Sequence, residues 1–253
     1  MTHHLKSCLR AAGTLALALF CSASYAGDPP AADEAAAAEA RERELLRSIV
    51  SRSRSAVKIE DVPVEISGHP TLGDAGAPLT LIEFGDMQCG FCRRHLLSVM
   101  PALLERYVGT GRLRYVFFDF PVEQRHPEAR GAAVAVRCAA DQNAALPMRE
   151  RLYAQPATLE REKMPQHAQA LGLDGARFTP CLADDAKAEA VSSDLATGQQ
   201  LGVRGTPTFL LGYSDGGNVR VRRRIVGAQP LEVFESTVDT LLAEPWDSRE
   251  QRR

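Results

Sequence analysis

Two thiols separated by two residues, Cys89 and Cys92, stand in the stretch Phe84-Gly85-Asp86-Met87-Gln88-Cys89-Gly90-Phe91-Cys92. Cysteines at this spacing either close a small redox-active disulfide or furnish half of a zinc site. An apolar run at 79–84 precedes the pair and an amphipathic one at 92–107 follows, so the thiols fall where a strand hands over to a helix. The unpaired N–H groups and partial positive charge of a helix N-terminus favour thiolate over thiol. Such a site lowers a first cysteine's pKa from about 8.5 into the range of roughly 3.5–7.5. Cys89 is therefore the expected exposed nucleophile, and Cys92, a turn further in and facing inward, the thiol that resolves a mixed disulfide. The metal alternative rests on His95, which extends the motif to C-x-x-C-x-x-H. Soft ions do favour thiolates, but a second zinc-type pair is absent, because Cys8, Cys21, Cys138 and Cys181 are all single.

The chain that positions this pair begins with an address label. Lys6 and Arg10 make a positive start, 11–20 an apolar stretch and Ser24-Tyr25-Ala26 a small-x-small cleavage site, so 1–26 is expected to be a signal peptide cut near Ala26. An uncleaved anchor is the alternative, and lipid attachment at Cys21 is disfavoured by the bulky Phe20 before it. Export places the chain in a compartment that permits disulfides, a periplasmic one. Losing Lys6 and Arg10 and no acid moves the formal charge from −2 to −4, and neither value suits nucleic-acid binding. Residues 27–60 form an alanine-rich tether and a charged helical extension. Its narrow apolar stripe, Leu45, Leu46, Ile49 and Val50, either folds back on the domain or joins protomers through 33–55.

Residues 62–66 alternate like a strand, and 67–78 are broken by Gly68, Pro70, Gly73, Gly76 and Pro78. The run 79–84 suits a buried parallel-type strand except for Glu83. A carboxylate there is costly without a partner or a task. It can lie beneath the cysteines with a raised pKa and exchange a proton with Cys92, or it can sit at the strand's solvent end. Gly109 and Gly111 stop the following helix, and 113–118 is the next strand. The span 127–201 is alanine-rich, broken near Pro147, Pro156, Pro165, Gly172 and Pro180, and reads as several short helices forming an inserted cap. Cys138 and Cys181 both fall within it, and an isolated pair in an exported protein is expected to bridge, with free buried thiols as the alternative.

Gly205-Thr206-Pro207 then opens an apolar strand, where a proline belongs at the first residue or at a bend. A cis Thr206–Pro207 bond would turn the backbone of Thr206 outward as a short edge for an extended peptide. A hairpin joins 209–212 to 219–226, and 230–243 is a terminal helix. Arg222, Arg223 and Arg224 alternate across the second hairpin strand and read as solvated charges. His69, His126 and His167 have no partner near in sequence and receive no chemistry.

A strand, C-x-x-C and helix early in the chain, with Gly-Thr-Pro, hairpin and helix late, resembles the thioredoxin fold. Residues 62–243 resemble the DsbA-like family of exported thiol–disulfide oxidoreductases, whose members carry a helical insertion between those two parts. The resemblance implies an α/β fold with domain parts at 61–125 and 202–245 and an inserted helical domain at 126–201. The extension at 27–60 departs from the family's minimal monomeric members, and 246–253 is expected to be a disordered tail. It makes Cys89 the nucleophile, Cys92 the resolving thiol, Glu83 the buried acid, and Gly90, Phe91, Thr206 and Pro207 the substrate-binding surroundings. It implies no cofactor and no metal, cysteine-containing exported proteins as substrates, and a membrane redox partner that resets the pair. The Gly90-Phe91 dipeptide departs from the Pro-His of the strongest oxidants in the family. A glycine in that slot and a helical extension are features of oligomeric isomerases. The expected activity is disulfide donation, with oligomeric isomerase or reductase, or a copper-handling thiol module, as the alternatives.

Overall fold

Leu79–Gly85 is buried at every residue, and its neighbours explain why. The computed structural model describes residues 62–244, together with Ala37, Ala40 and Arg41, which are helical and exposed. The expected leader at 1–26, the apolar stripe of the extension and the tail at 246–253 lie outside the described residues. The strands are β1 (Pro63–Glu65), β2 (Thr71–Leu72), β3 (Leu79–Gly85), β4 (Leu113–Asp119), β5 (Thr208–Asp215) and β6 (Asn218–Val226). They form a sheet in the order β1-β6-β5-β3-β4-β2. Central β3 runs parallel to β4 and antiparallel to β5. A strand enclosed on both faces and both edges reads as a nearly continuous apolar run, which is the pattern of 79–84 apart from Thr80 and Glu83, both of which have hydrogen-bond partners.

Side chains alternate across β3. Leu79 and Leu81 join Tyr115, Phe117 and Phe209 in the larger core, while Ile82 and Phe84 join Val116, Phe118 and Leu210 on the other face. By the same alternation Glu83 points to the side on which the cysteines lie. In β5 the register shifts between Leu211 and Gly212, where a Cβ would stand 2.0 Å from the Arg220 carbonyl oxygen, so only glycine fits this bulge. The two-residue β2, hidden among turn residues, was not expected from sequence, because only its pairing with β4 makes it a strand.

The helices are α1 (Gly90–Ser98), α2 (Met100–Leu103), α3 (Ala129–Ala140), α4 (Ala145–Ala154), α5 (Met164–Ala170), α6 (Gly175–Cys181), α7 (Asp185–Gln200) and α8 (Leu231–Ala243). The single helix expected over 92–107 is instead α1, α2 and a π-helical turn, Leu104–Val108, closed by Gly109 N–H donating to the Leu104 carbonyl at 2.7 Å. Pro101 is the cause: it has no N–H to offer the Leu97 carbonyl four residues back, and its ring crowds that carbonyl. In the 127–201 span Pro147 and Pro165 open α4 and α5 rather than break a helix, since first-turn N–H groups have no helical partner to lose.

Helices α3 to α7 fill the connection from β4 to β5, and their buried residues share the larger core with the sheet. A disulfide joins Cys138 in α3 to Cys181 in α6. Arg137 of α3 pairs with Asp119 at the end of β4 (2.6 Å) and with Asp194 of α7 (2.5 Å), and Asp194 also accepts from the Asp119 amide at 2.8 Å.

Candidate active site

The loop from β3 to α1 is pinned before it reaches the first cysteine. The buried Asp86 carboxylate accepts from the amides of Gln88 and Val122 and meets His126 Nδ1, each at 2.8 Å. Its carbonyl accepts from the Cys89 amide at 3.1 Å and from the Tyr153 hydroxyl at 3.0 Å. Cys89 is the N-cap of α1, in extended conformation, and its carbonyl accepts from Arg93 N–H at 3.1 Å. The thiol thus sits at the end of the helix dipole, among amides that have no helical partner.

The two sulfurs are both free and, against the expectation of an exposed Cys89, both buried. Packing around the helix N-terminus leaves Cys89 5 % of its surface, where it lines a cavity, yet the two differ sharply. Hydrogen bonds lower Cys89 to about 5: the largest comes from the Cys92 thiol, followed by the Thr206 side chain and the amides of Cys92 and Phe91, against the opposing cost of burial. Cys92 is completely buried. Burial first, then its hydrogen bond to Cys89 and the Glu83 charge, raise it well above the ordinary thiol value. At neutral pH the pair is one thiolate and one thiol.

Beneath the pair, Glu83 is not an isolated carboxylate. It accepts from the Tyr115 hydroxyl at 2.6 Å and pairs with Arg149 of α4 at 3.3 Å. The Arg149 guanidinium lies 4.2 Å from the centre of the Phe117 ring. Gly85 makes room for this pair, since a Cβ there would stand 2.9 Å from Glu83 Oε1 and 3.1 Å from Arg149 Nη2. His95 is fully buried; its Nε2 meets the Tyr115 hydroxyl at 3.1 Å and its ring packs on Phe209 and Phe234. Burial lowers it to about 4, so it is a neutral core imidazole. Among the described residues no three His, Cys, Asp or Glu side chains gather as a metal site.

Above the pair, the Thr206–Pro207 bond is cis, and the Thr206 carbonyl lies 3.4 Å from Cys89 Sγ, which donates to it when protonated. Cys89, Gly90, Phe91 and Thr206 line one cavity of about 670 Å³ with Arg94, Val122, Gln124, Arg125, His126, Arg204 and Gly205. Phe91 is 58 % exposed at its rim, with the Arg94 guanidinium 5.0 Å from the ring centre. Pro207 is buried behind Thr206 and does not line the cavity.

Long-range partners are what sequence reasoning missed. Asp86, Tyr115, His126, Arg149 and Tyr153 reach the site from four separate segments, and nothing in their local spacing announces it. The histidines given no chemistry all have distant or local partners: His126 on Asp86, His69 on Asp194 at 2.8 Å, and His167 on the Thr158 carbonyl at 2.8 Å. Nor are the hairpin arginines merely solvated. Arg223 pairs with Glu244 at 3.2 Å, and Arg224 donates to the Leu201 carbonyl.

A family model described as thioredoxin matches residues 65–219. The fold resembles that of α-DsbA1 of Wolbachia pipientis, with a TM-score of 0.62 and 21 % identity over 70 % of this chain and 92 % of that one. It also resembles oxidised BdbD of Bacillus subtilis, with a TM-score of 0.61 and 20 % identity over 74 % of this chain and all (100 %) of that one. The Na(+)/H(+) antiporter NhaA 1 of Salinispora arenicola is 31 % identical over 196 residues, 76 % of this chain. The chain spans only 28 % of that curated relative's length.

Proposed function

Because the chain belongs to the thioredoxin family, we propose that it is an exported thiol–disulfide oxidoreductase that donates the Cys89–Cys92 disulfide to cysteine-containing proteins. The observation that carries this is the pairing of a Cys89 thiol lowered to about 5, which lines a cavity, with a fully enclosed Cys92 held protonated. A low thiolate pKa stabilises the reduced pair, which makes the disulfide the better oxidant.

In the proposed cycle a substrate thiolate attacks Cys89 Sγ of the disulfide form. The Cys89–Cys92 bond breaks, and Cys92 leaves as a thiolate that takes up a proton. A second substrate thiolate attacks the substrate sulfur of the mixed disulfide and expels the Cys89 thiolate. The substrate loses two electrons and two protons; the cysteine pair takes both electrons, one proton stays on Cys92 and the other enters solvent. Glu83 is assigned the role of holding that proton on Cys92, by placing negative charge beneath it. The Thr206 edge, with Gly90 and Phe91, receives the substrate backbone. A membrane redox partner would remove the electrons and restore the disulfide.

Export is supported by the leader read at 1–26. Among the described residues no helix is long and apolar enough to cross a membrane, and we assign this chain the thiol chemistry, not the ion transport in the name of its antiporter relative. The test is oxidative refolding of a reduced protein substrate. Cys89→Ser is expected to abolish turnover, and Cys92→Ser, given a substrate that already carries disulfides, to accumulate mixed disulfides on Cys89. Retained turnover in Cys89→Ser would defeat the assignment. Equilibration with glutathione is expected to place the couple at or above glutathione's potential, and a much lower value would make the protein a reductase.

A further inference from the structure

In the disulfide form, where Cys89 bears no charge, the charged side chains lining the cavity beside it are all cations. Arg94 rises from α1, Arg125 follows β4, and Arg204 lies just before the Thr206–Pro207 bond, so three separate segments bring guanidinium groups to the same opening. All three are exposed. None is paired with a carboxylate among the described residues. Arg94 donates only to the Ala228 carbonyl, at 3.2 Å, and the side chains of Arg125 and Arg204 make no hydrogen bond there. No acidic side chain lines the cavity. The Asp86 carboxylate, which meets the lining His126, is buried and already occupied by two amides and that imidazole, and Glu123 is paired with Arg130.

Arginines that had only a structural task would be expected to sit on carboxylates, as Arg137 and Arg149 do elsewhere in this molecule. Instead three are left facing one opening, where each presents a planar fork suited to carboxylate. The occupant must also bring a sulfur to Cys89. An extended backbone fits better than a compact solute, because the Thr206 amide has no partner among the described residues and lies beside the same opening. Resting on the exchange proposed above, we propose that the cavity selects substrate segments bearing acidic side chains next to the reactive cysteine, with Arg94, Arg125 and Arg204 as the specificity-determining residues. The charges act on encounter and on the mixed disulfide, whereas the sulfur chemistry is that of Cys89 and Cys92.

The test uses the full chain in its disulfide form and capped peptides of equal length whose single cysteine is flanked by two glutamates, two serines or two lysines. Rates of attack on the Cys89–Cys92 disulfide are divided by each peptide's own thiolate fraction. At low salt the order is expected to be glutamate, serine, lysine, with roughly a tenfold advantage of glutamate over serine, in the range that electrostatic steering supplies. High salt should shrink that advantage. In the Arg94→Gln, Arg125→Gln, Arg204→Gln triple variant the ratio should approach one. Should that variant fail to fold, Arg125→Gln and Arg204→Gln singly are each expected to lower the ratio about twofold, in proportion to the charge removed. Equal rates for the three peptides, or a ratio unmoved by the arginine changes, would overturn the proposal. Glutathione reacting faster than the glutamate peptide at equal thiolate would overturn the assignment to a polypeptide. Uncharged dithiothreitol separates the two levels: if it is not oxidised, the exchange reading itself fails, and if it is oxidised while peptides go unranked, only this inference does.

Discussion

A thiol lowered to about 5 lies against one raised well above its ordinary value, and that contrast makes the pair directional. Alkylation of the reduced protein should therefore rise with pH around a midpoint near 5, modify Cys89 alone, and reach Cys92 only after unfolding. A midpoint near that of an ordinary cysteine, as read by mass spectrometry of the alkylated protein, would remove the basis of the proposed donor role. Linkage gives the sign for stability. The folded-state pKa of Cys89 is depressed, so its contribution to the reduced form is present above the unfolded value and is lost as pH falls through about 5. Glu83 allows a second check. Replacing it by Gln removes the negative charge that helps to raise Cys92, and so lowers the Cys92 pKa. It also leaves Arg149 buried without its counter-ion, at a cost of about 3–5 kcal/mol in stability. A denaturation midpoint unchanged in Glu83→Gln would show that the pair does not hold the site.

At the scale of elements, the junction of β3 and α1 depends on the close packing above Glu83. In Gly85→Ala the new methyl would meet the Glu83 carboxylate and the Arg149 guanidinium inside normal contact distance. We expect a loss of about 1–3 kcal/mol and a changed Cys92 alkylation rate, while Gly90→Ala, whose Cβ would meet nothing, serves as control for stability. How much was readable in sequence follows the same division between local and distant causes. The run 79–84, the strand 113–118, the late hairpin and the last helix were legible because their periodicity and turn residues lie within the element itself. The thiols were legible because a C-x-x-C at a strand–helix junction has its chemistry set by its own backbone. The split at Ser98 and Val99 was written in Pro101, but the amphipathic stripe continues past it and masks the break. Arg149, Tyr115 and His126 were not legible, because each is defined by a partner between 32 and 66 residues away.

For the whole molecule the question is what keeps the helices inserted between β4 and β5 in register with the sheet that carries the thiols. One answer is polar and buried: Arg137 of α3 joins Asp119 of β4 to Asp194 of α7, and Asp194 also holds His69, whose ring stacks at 3.8 Å on Phe118. Arg137→Met would leave two carboxylates facing each other out of water, and removing one partner of a buried pair costs about 3–5 kcal/mol. The pH dependence tells this loss from a mere cavity. Asp119 is already raised by burial, with Arg137 as the main force holding it down. Without Arg137 it rises further and takes a proton to relieve the repulsion. A group raised in the folded state contributes stability below its unfolded pKa and loses it as pH climbs through the folded one. The deficit of Arg137→Met against the parent should therefore be largest near neutrality and shrink as pH is lowered toward 5, measured as the difference in urea midpoint at each pH. A deficit constant over that range would assign the cost to lost packing, and the inserted helices would then be tied to the sheet by their shared apolar core and by the Arg149–Glu83 pair.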